Sequence, residues 1–231
     1  MWRKIIDDAL SMIGLCGHLA LLFVLISRRL AMRMPLFTVL IGGYVLRSGI
    51  FFVTRWTMVS PWLYWVLIGF DPVLQFALLA TIMRAWRPLA AKAIARRILA
   101  SMSLLLAVGI AGIAAWYIGP SSHFSARNLS IKTSVFVSIL WIEAGTTLLI
   151  LGRRYMQQLP TLIVSVIGGF AIYSAANVLT EIGHLHFSML RKAGPYIGLS
   201  YMCIVVYLFC LLLWFNAFWH EARTLERAVS A

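Results

Sequence analysis

Four ionisable side chains lie inside long apolar segments of this chain, where an unpaired charge is unfavourable. They are His18, Arg47, Asp71 and Glu143. A charged group at the centre of a bilayer costs about 2.5–3.5 kcal/mol on insertion scales, so such groups are usually paired or functional. If Arg47 pairs with one carboxylate, the other must face water, bind a cation, pair with protonated histidine or hold a proton itself. This set predicts proton or cation coupling, and the alternative is an inert ion pair that fixes helix packing.

Other polar residues recur at helical spacing and extend these positions into stripes. Tyr173, Asn177, Glu181 and His184 are separated by four, four and three residues, which places them on one face of a helix. The stripes predict a polar interior that opens outward, with a closed hydrogen-bonded core as the alternative. The candidates for ligand or ion binding are therefore His18, Arg47, Asp71, Gln75, Glu143, Tyr173, Asn177 and Glu181.

No catalytic motif accompanies these candidates. The sequence has no nucleophile–base motif, no glycine-rich phosphate loop and no pair of histidines on one helix spaced for haem. Glu181 and His184 have the spacing of a metal-ligand pair on a helix, but one pair without further ligands more often marks a solvated helix end. We predict no cofactor and no catalytic residue, and intramembrane chemistry through Asp71, Glu143 and the histidines stays the alternative.

The composition shows what kind of molecule must position these groups. Of 231 residues, 62% are hydrophobic and 12% are charged, against about 45–50% and about 25% in soluble domains. A soluble core of this size could not hide that apolar excess, so we predict an integral membrane protein whose first partner is the lipid bilayer. The formal net charge of +13 falls in short loops, where lysine and arginine set membrane orientation. We therefore predict no nucleic-acid partner.

Seven stretches are long enough to cross the bilayer, since about 20 apolar residues span roughly 30 Å of hydrocarbon. We predict one all-α, multi-pass domain over residues 1–231 in the cell (inner) membrane. Lysine and arginine are more frequent on the side that holds the C-terminus, so the N-terminus is predicted outside and the C-terminus inside. The predicted helices cover about 8–27, 35–54, 61–83, 98–119, 132–152, 160–180 and 195–219.

The chain also contains an internal echo. "RRLAMRMP" at 28–35 and "RRYMQQLP" at 153–160 each begin with paired arginines, end on proline and precede an apolar stretch with Gly-Gly. Aligning them matches helices 1–3 with helices 5–7 and leaves helix 4 alone. This predicts a parallel 3+1+3 repeat about the membrane normal, with His18 equivalent to Glu143. The alternative is convergence, because basic loops favour arginine and first helical turns favour proline.

Two further segments predict contacts with other molecules. Ser103, Ala107, Ala111 and Ala115 recur every four residues in helix 4, and such a seam of small residues lets another helix approach closely. It predicts either internal packing or a contact with a second copy or a partner subunit. The basic stretch at 84–97, "RAWRPLAAKAIARR", is predicted at the cytoplasmic headgroups, where it would contact anionic lipid.

Two stretches carry a family resemblance. "LISRRLAMRMPLFTVLIGGYVLRSG" and "YLFCLLLWFNAFW" resemble a family of small bacterial seven-helix inner-membrane proteins without an assigned activity. The resemblance implies a fold and a location, and it implies no function. Sugar facilitators are similar in their three-one-three layout, but their Pro-Gln motif is absent here. Retinal proteins are similar in topology, but helix 7 has no lysine for a Schiff base, and Lys192 lies in the preceding loop.

The sequence thus favours three functions that compete closely. The first is translocation of a small solute or ion, coupled to protons, through the polar interior. The second is a receptor-like sensor that binds a ligand from the outer side and engages a partner through its basic loops. The third is a structural subunit of a larger membrane complex.

Overall fold

The structure, a computed structural model, describes residues 2–54, 61–90, 107–118, 126–156, 160–190 and 192–230. All regular structure in these ranges is helical, which confirms the all-α prediction. The helices are α1 (Trp2–Ser27), α2 (Pro35–Thr54), α3 (Pro61–Ala90), α4 (Ala107–Ile118), α5 (Ala126–Met156), α6 (Thr161–Met189) and α7 (Ala193–Ser230). A short 3-10 helix, Leu30–Met32, joins α1 to α2.

Several helices continue beyond the limits that the sequence predicted. Helix α3 ends at Ala90 rather than 83, α6 at Met189 rather than 180, and α7 at Ser230 rather than 219. The predicted limits follow the thickness of the hydrocarbon, whereas a helix satisfies its own backbone and can continue among the headgroups. The predicted first part of helix 4, with Ser103, and the second half of the basic stretch at 84–97, residues 91–97, lie outside the described residues.

Four helical segments are long and apolar enough to cross a membrane, among the residues described. They are Ile5–Ser27, Asn128–Leu149, Thr161–Ser188 and Ala193–Arg223, while Pro35–Phe51 and Ala107–Ile118 are apolar but shorter. Large apolar side chains such as Phe23 and Leu149 are mostly exposed on the protein surface. Such exposure is unfavourable in water and is expected where a surface faces lipid. A membrane protein is thus supported by four spans, and the predicted seven spans stay a prediction.

Six of the helices form a closed ring. Each packs against the next in the order α1, α2, α3, α5, α6 and α7, and α7 packs against α1 again. Helix α4 contacts α5 through Lys132, whose ammonium lies 4.2 Å from the centre of the Trp116 ring. Ala111 and Ala115 of α4 are buried within the chain, while Ala107 is partly exposed, so two members of the small-residue seam are covered by the chain itself. The contact of α4 with a partner stays a prediction.

A layer of aromatic rings fills the ring of helices near one end. Phe37 stacks on Phe218 at 5.1 Å between ring centres, and Phe170 lies 4.5 Å from Trp141 and 4.6 Å from Trp214. All five side chains are fully buried. Because buried aromatic side chains remove about 150–250 Å² each from solvent, this aromatic layer is a major part of the core.

A cleft of about 280 Å³ opens at the same end of the bundle. It lies between α2 and α3 on one side and α6 and α7 on the other, and the prolines of both echo motifs, Pro35 and Pro160, line it. Arg33 Nη1 and Glu221 Oε1 form an ion pair of 3.7 Å beside it. We call this end, which carries Arg28, Arg33 and Arg223, the basic end. The two motifs differ in backbone structure, because Arg29 lies between α1 and the 3-10 helix in a left-handed conformation, whereas residues 153–156 continue α5.

Candidate functional site

Asp71 of α3 is the hub of a polar cluster within the helix ring. Its Oδ1 accepts hydrogen bonds from the Tyr44 hydroxyl at 2.5 Å and from Gln75 Nε2 at 2.8 Å. Its Oδ2 faces Arg47, whose Nη1 lies 3.4 Å away. The Arg47 and Asp71 side chains are 28% and 20% exposed. Three donors thus offset the cost of removing this carboxylate from water.

Helical spacing explains why α2 and α3 meet in this way. Tyr44 and Arg47 are three residues apart on α2, and Asp71 and Gln75 are four apart on α3, so each pair presents one face to the other. The Arg47 guanidinium carbon also lies 5.1 Å from the centre of the Tyr44 ring, a distance at which a cation is attracted to an aromatic face. Gln75 Nε2 lies 3.2 Å from the same tyrosine's hydroxyl.

The cluster extends across the helix ring to α1, α6 and α7. His18 Nε2 and the Tyr207 hydroxyl share a hydrogen bond of 2.5 Å. The His18 ring lies 5.3 Å from that of Tyr44 and 5.6 Å from that of Tyr207, between ring centres. The Tyr173 ring contacts Tyr207 at 5.1 Å. We call the whole group the polar centre, and its members are His18, Tyr44, Arg47, Asp71, Gln75, Tyr173 and Tyr207.

Five of the eight predicted candidates therefore lie together in the polar centre. They are His18, Arg47, Asp71, Gln75 and Tyr173. Tyr207 was not among the predicted candidates, because it is uncharged and stands alone in an apolar run rather than in a polar stripe. A signal was present, since a buried tyrosine hydroxyl usually finds a hydrogen-bond partner. The other three candidates lie elsewhere.

Glu143 does not join the polar centre. It lies two residues after Trp141, which points into the aromatic layer, so its side chain leaves α5 about 200° away from that direction. Its Oε2 is buried and has no hydrogen-bond partner among the described residues. Arg47 accordingly pairs with Asp71 alone of the two carboxylates that the sequence offered it.

Asn177, one turn beyond Tyr173 on α6, ties α6 to α5. Its Nδ2 donates to the hydroxyls of Ser134 at 3.2 Å and Ser138 at 3.0 Å. Such interhelical hydrogen bonds between polar side chains contribute about 0.6 kcal/mol on average in a membrane protein. Asn177 therefore fixes the packing of α5 on α6 rather than facing the polar centre.

Glu181 and His184 lie further along α6, away from the basic end. His184 Nε2 lies 3.0 Å from the Ser200 hydroxyl and 3.2 Å from the carbonyl oxygen of Tyr196, and its ring stacks on that of Tyr196 at 3.9 Å. Glu181 Oε2 lies 4.0 Å from His184 Nδ1. Within the described residues, no three histidine, cysteine, aspartate or glutamate side chains lie close enough together to hold a metal ion.

The chemistry that the polar centre offers is the exchange of protons and the binding of charge. It combines a carboxylate, a guanidinium, an imidazole and three phenols. Comparisons with protein-family models, with curated proteins and with solved structures gave no significant match.

Proposed function

We propose that this protein translocates a small solute across the membrane together with a proton, and that Asp71 carries the proton. One observation carries the proposal: Asp71 and Arg47 meet inside a helix ring through a single 3.4 Å contact. Arginine and carboxylate groups that serve only to bind each other commonly form two parallel hydrogen bonds. A pair held by one long contact can separate at modest cost when the carboxylate takes up a proton.

The helix contacts support the parallel repeat as part of this proposal. If helices 1–3 correspond to 5–7, the two contacts between the triplets, α3 with α5 and α7 with α1, are equivalent. In both glycine pairs the second glycine faces the next helix of its triplet, although the two contacts differ in closeness. A methyl group on Gly43 would be in ordinary contact with Leu74 of α3, whereas one on Gly169 would overlap Trp214 of α7, and the glycine before each faces open space. Two such triplets could rock against each other around a central site.

The order of features along the helices supports a closed state of such a transporter. On α7, Glu221 lies beside the cleft, Trp214 and Phe218 belong to the aromatic layer, and Tyr207 belongs to the polar centre. The cleft at the basic end is thus separated from the polar centre by the aromatic layer. We propose that separation of the triplets at this end opens the layer and connects the cleft to the polar centre.

The basic end defines the orientation that we propose. Arg28 and Arg223 both lie against the Trp219 ring, at 5.6 Å and 5.4 Å from its centre. Tryptophan and arginine are typical of the membrane interface, and excess positive charge is typical of the cytoplasmic side. We therefore propose a multi-pass protein of the inner membrane with seven spans, the N-terminus outside and this end in contact with anionic lipid.

Reconstitution of the full chain into liposomes with a trapped pH-sensitive dye tests the proposal. The probes are gradients of sodium nitrate, sodium L-lactate, glycine and choline sulfate. The choline sulfate gradient is compared with an equal gradient of sodium sulfate. We expect the wild type to move protons with at least one of the four probes. Asp71→Asn should reduce this flux to the level of empty liposomes, because its amide cannot carry the proton. Asp7→Asn, the same change on a carboxylate that bonds Tyr201, should behave as the wild type.

A structural role is the second candidate, and a specific observation favours it. Asp71 has three donors around it, and a satisfied buried pair of this kind can pin α2 to α3 without any transport. If wild-type and Asp71→Asn liposomes both match empty liposomes for all four probes, the translocation proposal fails and this structural role takes its place.

A further inference from the structure

We infer that the translocated solute is a small anion that replaces the Asp71 carboxylate on Arg47. This inference rests on the proposed function, and it names the class of solute. It follows from the two oxygens of Asp71, which have different partners. Oδ1 accepts from Tyr44 and Gln75, while Oδ2 faces Arg47.

The division between the two oxygens decides what protonation does. A proton that bonds to Oδ2 leaves both hydrogen bonds to Oδ1 in place, so the carboxyl group keeps its position on α3. The same proton removes the negative charge beside Arg47 and ends the ion pair. Protonation therefore releases Arg47 selectively and does not dismantle the rest of the polar centre.

Charge balance then selects an anion. After protonation Arg47 is a positive charge without its counter-ion, and only 28% of its side chain is exposed to solvent, so this state is unfavourable unless another negative charge pairs with the guanidinium. A monoanion restores the lost pairing, whereas a cation adds a second positive charge and a neutral solute leaves the first one uncompensated. The site takes up a proton and an anion together and releases them together, so the complete step moves no net charge.

The donors around the site fit an acceptor-bearing solute. A guanidinium has five N–H donors, and the contact of Nη1 with Asp71 is the one hydrogen bond that Arg47 makes to a side chain in the described residues.

Proton uptake on anion binding is the test. The full chain in lipid nanodiscs is held in weakly buffered solution with a pH dye, and pH-matched sodium nitrate or sodium L-lactate is added. We expect the wild type to take up about one proton per bound anion, since one carboxylate exchanges for one monoanion. Glycine and choline sulfate, again matched against sodium sulfate, should cause none. Arg47→Gln should abolish the uptake, and Asp7→Asn should leave it unchanged.

Asp71→Asn gives a second readout that does not depend on proton release. Its Arg47 has no counter-ion, so nitrate should raise the melting temperature of this variant more than that of the wild type, without proton uptake. The anion proposal is overturned if the wild type takes up no proton with either anion and nitrate does not stabilise Asp71→Asn more than the wild type. Proton flux in liposomes driven by glycine or choline also overturns the anion proposal, but it leaves proton-coupled translocation standing. Stoichiometric proton uptake in nanodiscs without flux in liposomes supports the anion site and overturns the translocation proposal.

Discussion

Replacing Asp71 with leucine should lower the free energy of unfolding by about 3 kcal/mol, the lower end of the range for breaking a buried ion pair. The variant leaves the Arg47 charge unpaired and removes the acceptor for Tyr44 and Gln75. The lower end applies because 28% of the Arg47 side chain is exposed. Adding Arg47→Met to the same chain should recover most of the loss, since the unpaired charge is then gone. Denaturant titration in detergent micelles gives both values.

The ion pair at the basic end offers a matched control for this cycle. Glu221→Leu removes the carboxylate from Arg33, whose side chain is 54% exposed and can turn to water. We expect a change of about 0–1 kcal/mol, as is typical of exposed pairs. Equal losses for Asp71→Leu and Glu221→Leu would contradict the claim that the Arg47–Asp71 pair, at 28% and 20% exposure, is better shielded from water than the Arg33–Glu221 pair, at 54% and 28%.

The same double variant separates stability from function. Because Arg47→Met with Asp71→Leu restores an uncharged and folded centre, the structural role predicts a protein that behaves as the wild type in every assay. The translocation proposal predicts a folded protein without any proton flux in liposomes. Normal flux in the double variant would therefore remove Asp71 from the mechanism.

Gly169→Leu should destabilise the bundle by about 3 kcal/mol, near the upper end for overpacking in a core. Even the first carbon of the new side chain would overlap the Trp214 indole. That indole donates from Nε1 to the carbonyl oxygen of Ser165 at 3.1 Å and lies in the aromatic layer against Phe170. Moving it would break the hydrogen bond and disturb the layer.

The neighbouring glycine is the control, because Gly168 has open space where its side chain would begin. Gly168→Leu should be neutral or should stabilise the chain by up to about 1 kcal/mol, since leucine favours a helix more than glycine does. The comparison uses the same denaturant titration. If the two leucine variants lose equal stability, the α6–α7 contact at Gly169 is not as close as the structure shows.

Much of the polar centre could be predicted from residue type and helical spacing. His18, Arg47 and Asp71 could be predicted as candidates because they are ionisable residues in apolar runs, and the four-residue spacing placed Gln75 on the same helix face as Asp71. Neither residue type nor spacing depends on tertiary packing, and helical periodicity alone decides which side chains of one helix share a face. The all-α fold could be predicted from composition, because an apolar segment in lipid must satisfy its own backbone hydrogen bonds and a helix does so within one segment.

The choice of partner for Arg47 could not be predicted in this way. Asp71 and Glu143 lie at similar depths by residue count, and what separates them is the rotation of α5 about its own axis. That rotation is set by the packing of Trp141 against Phe170, a contact between helices that no local pattern contains. Tyr207 was missed for a related reason, since its role depends on facing His18 across the helix ring.

The ends of the helices could not be predicted from hydropathy either. Hydropathy locates the part of a helix that lies in hydrocarbon, so it found the apolar middle of α7 and missed the eleven residues from 220 to Ser230. Polar and charged residues continue the helix there because backbone hydrogen bonding needs no apolar side chains.

The central claim is that Asp71 gains and loses a proton as the solute binds, and infrared difference spectroscopy measures this most directly. Spectra of the full chain in lipid are recorded with and without nitrate at one mildly acidic pH. We predict that nitrate produces the carbonyl band of a protonated carboxylic acid, and that this band is absent from Asp71→Asn and present in Asp7→Asn. A wild-type spectrum without the band, or a band that persists unchanged in Asp71→Asn, would contradict the claim.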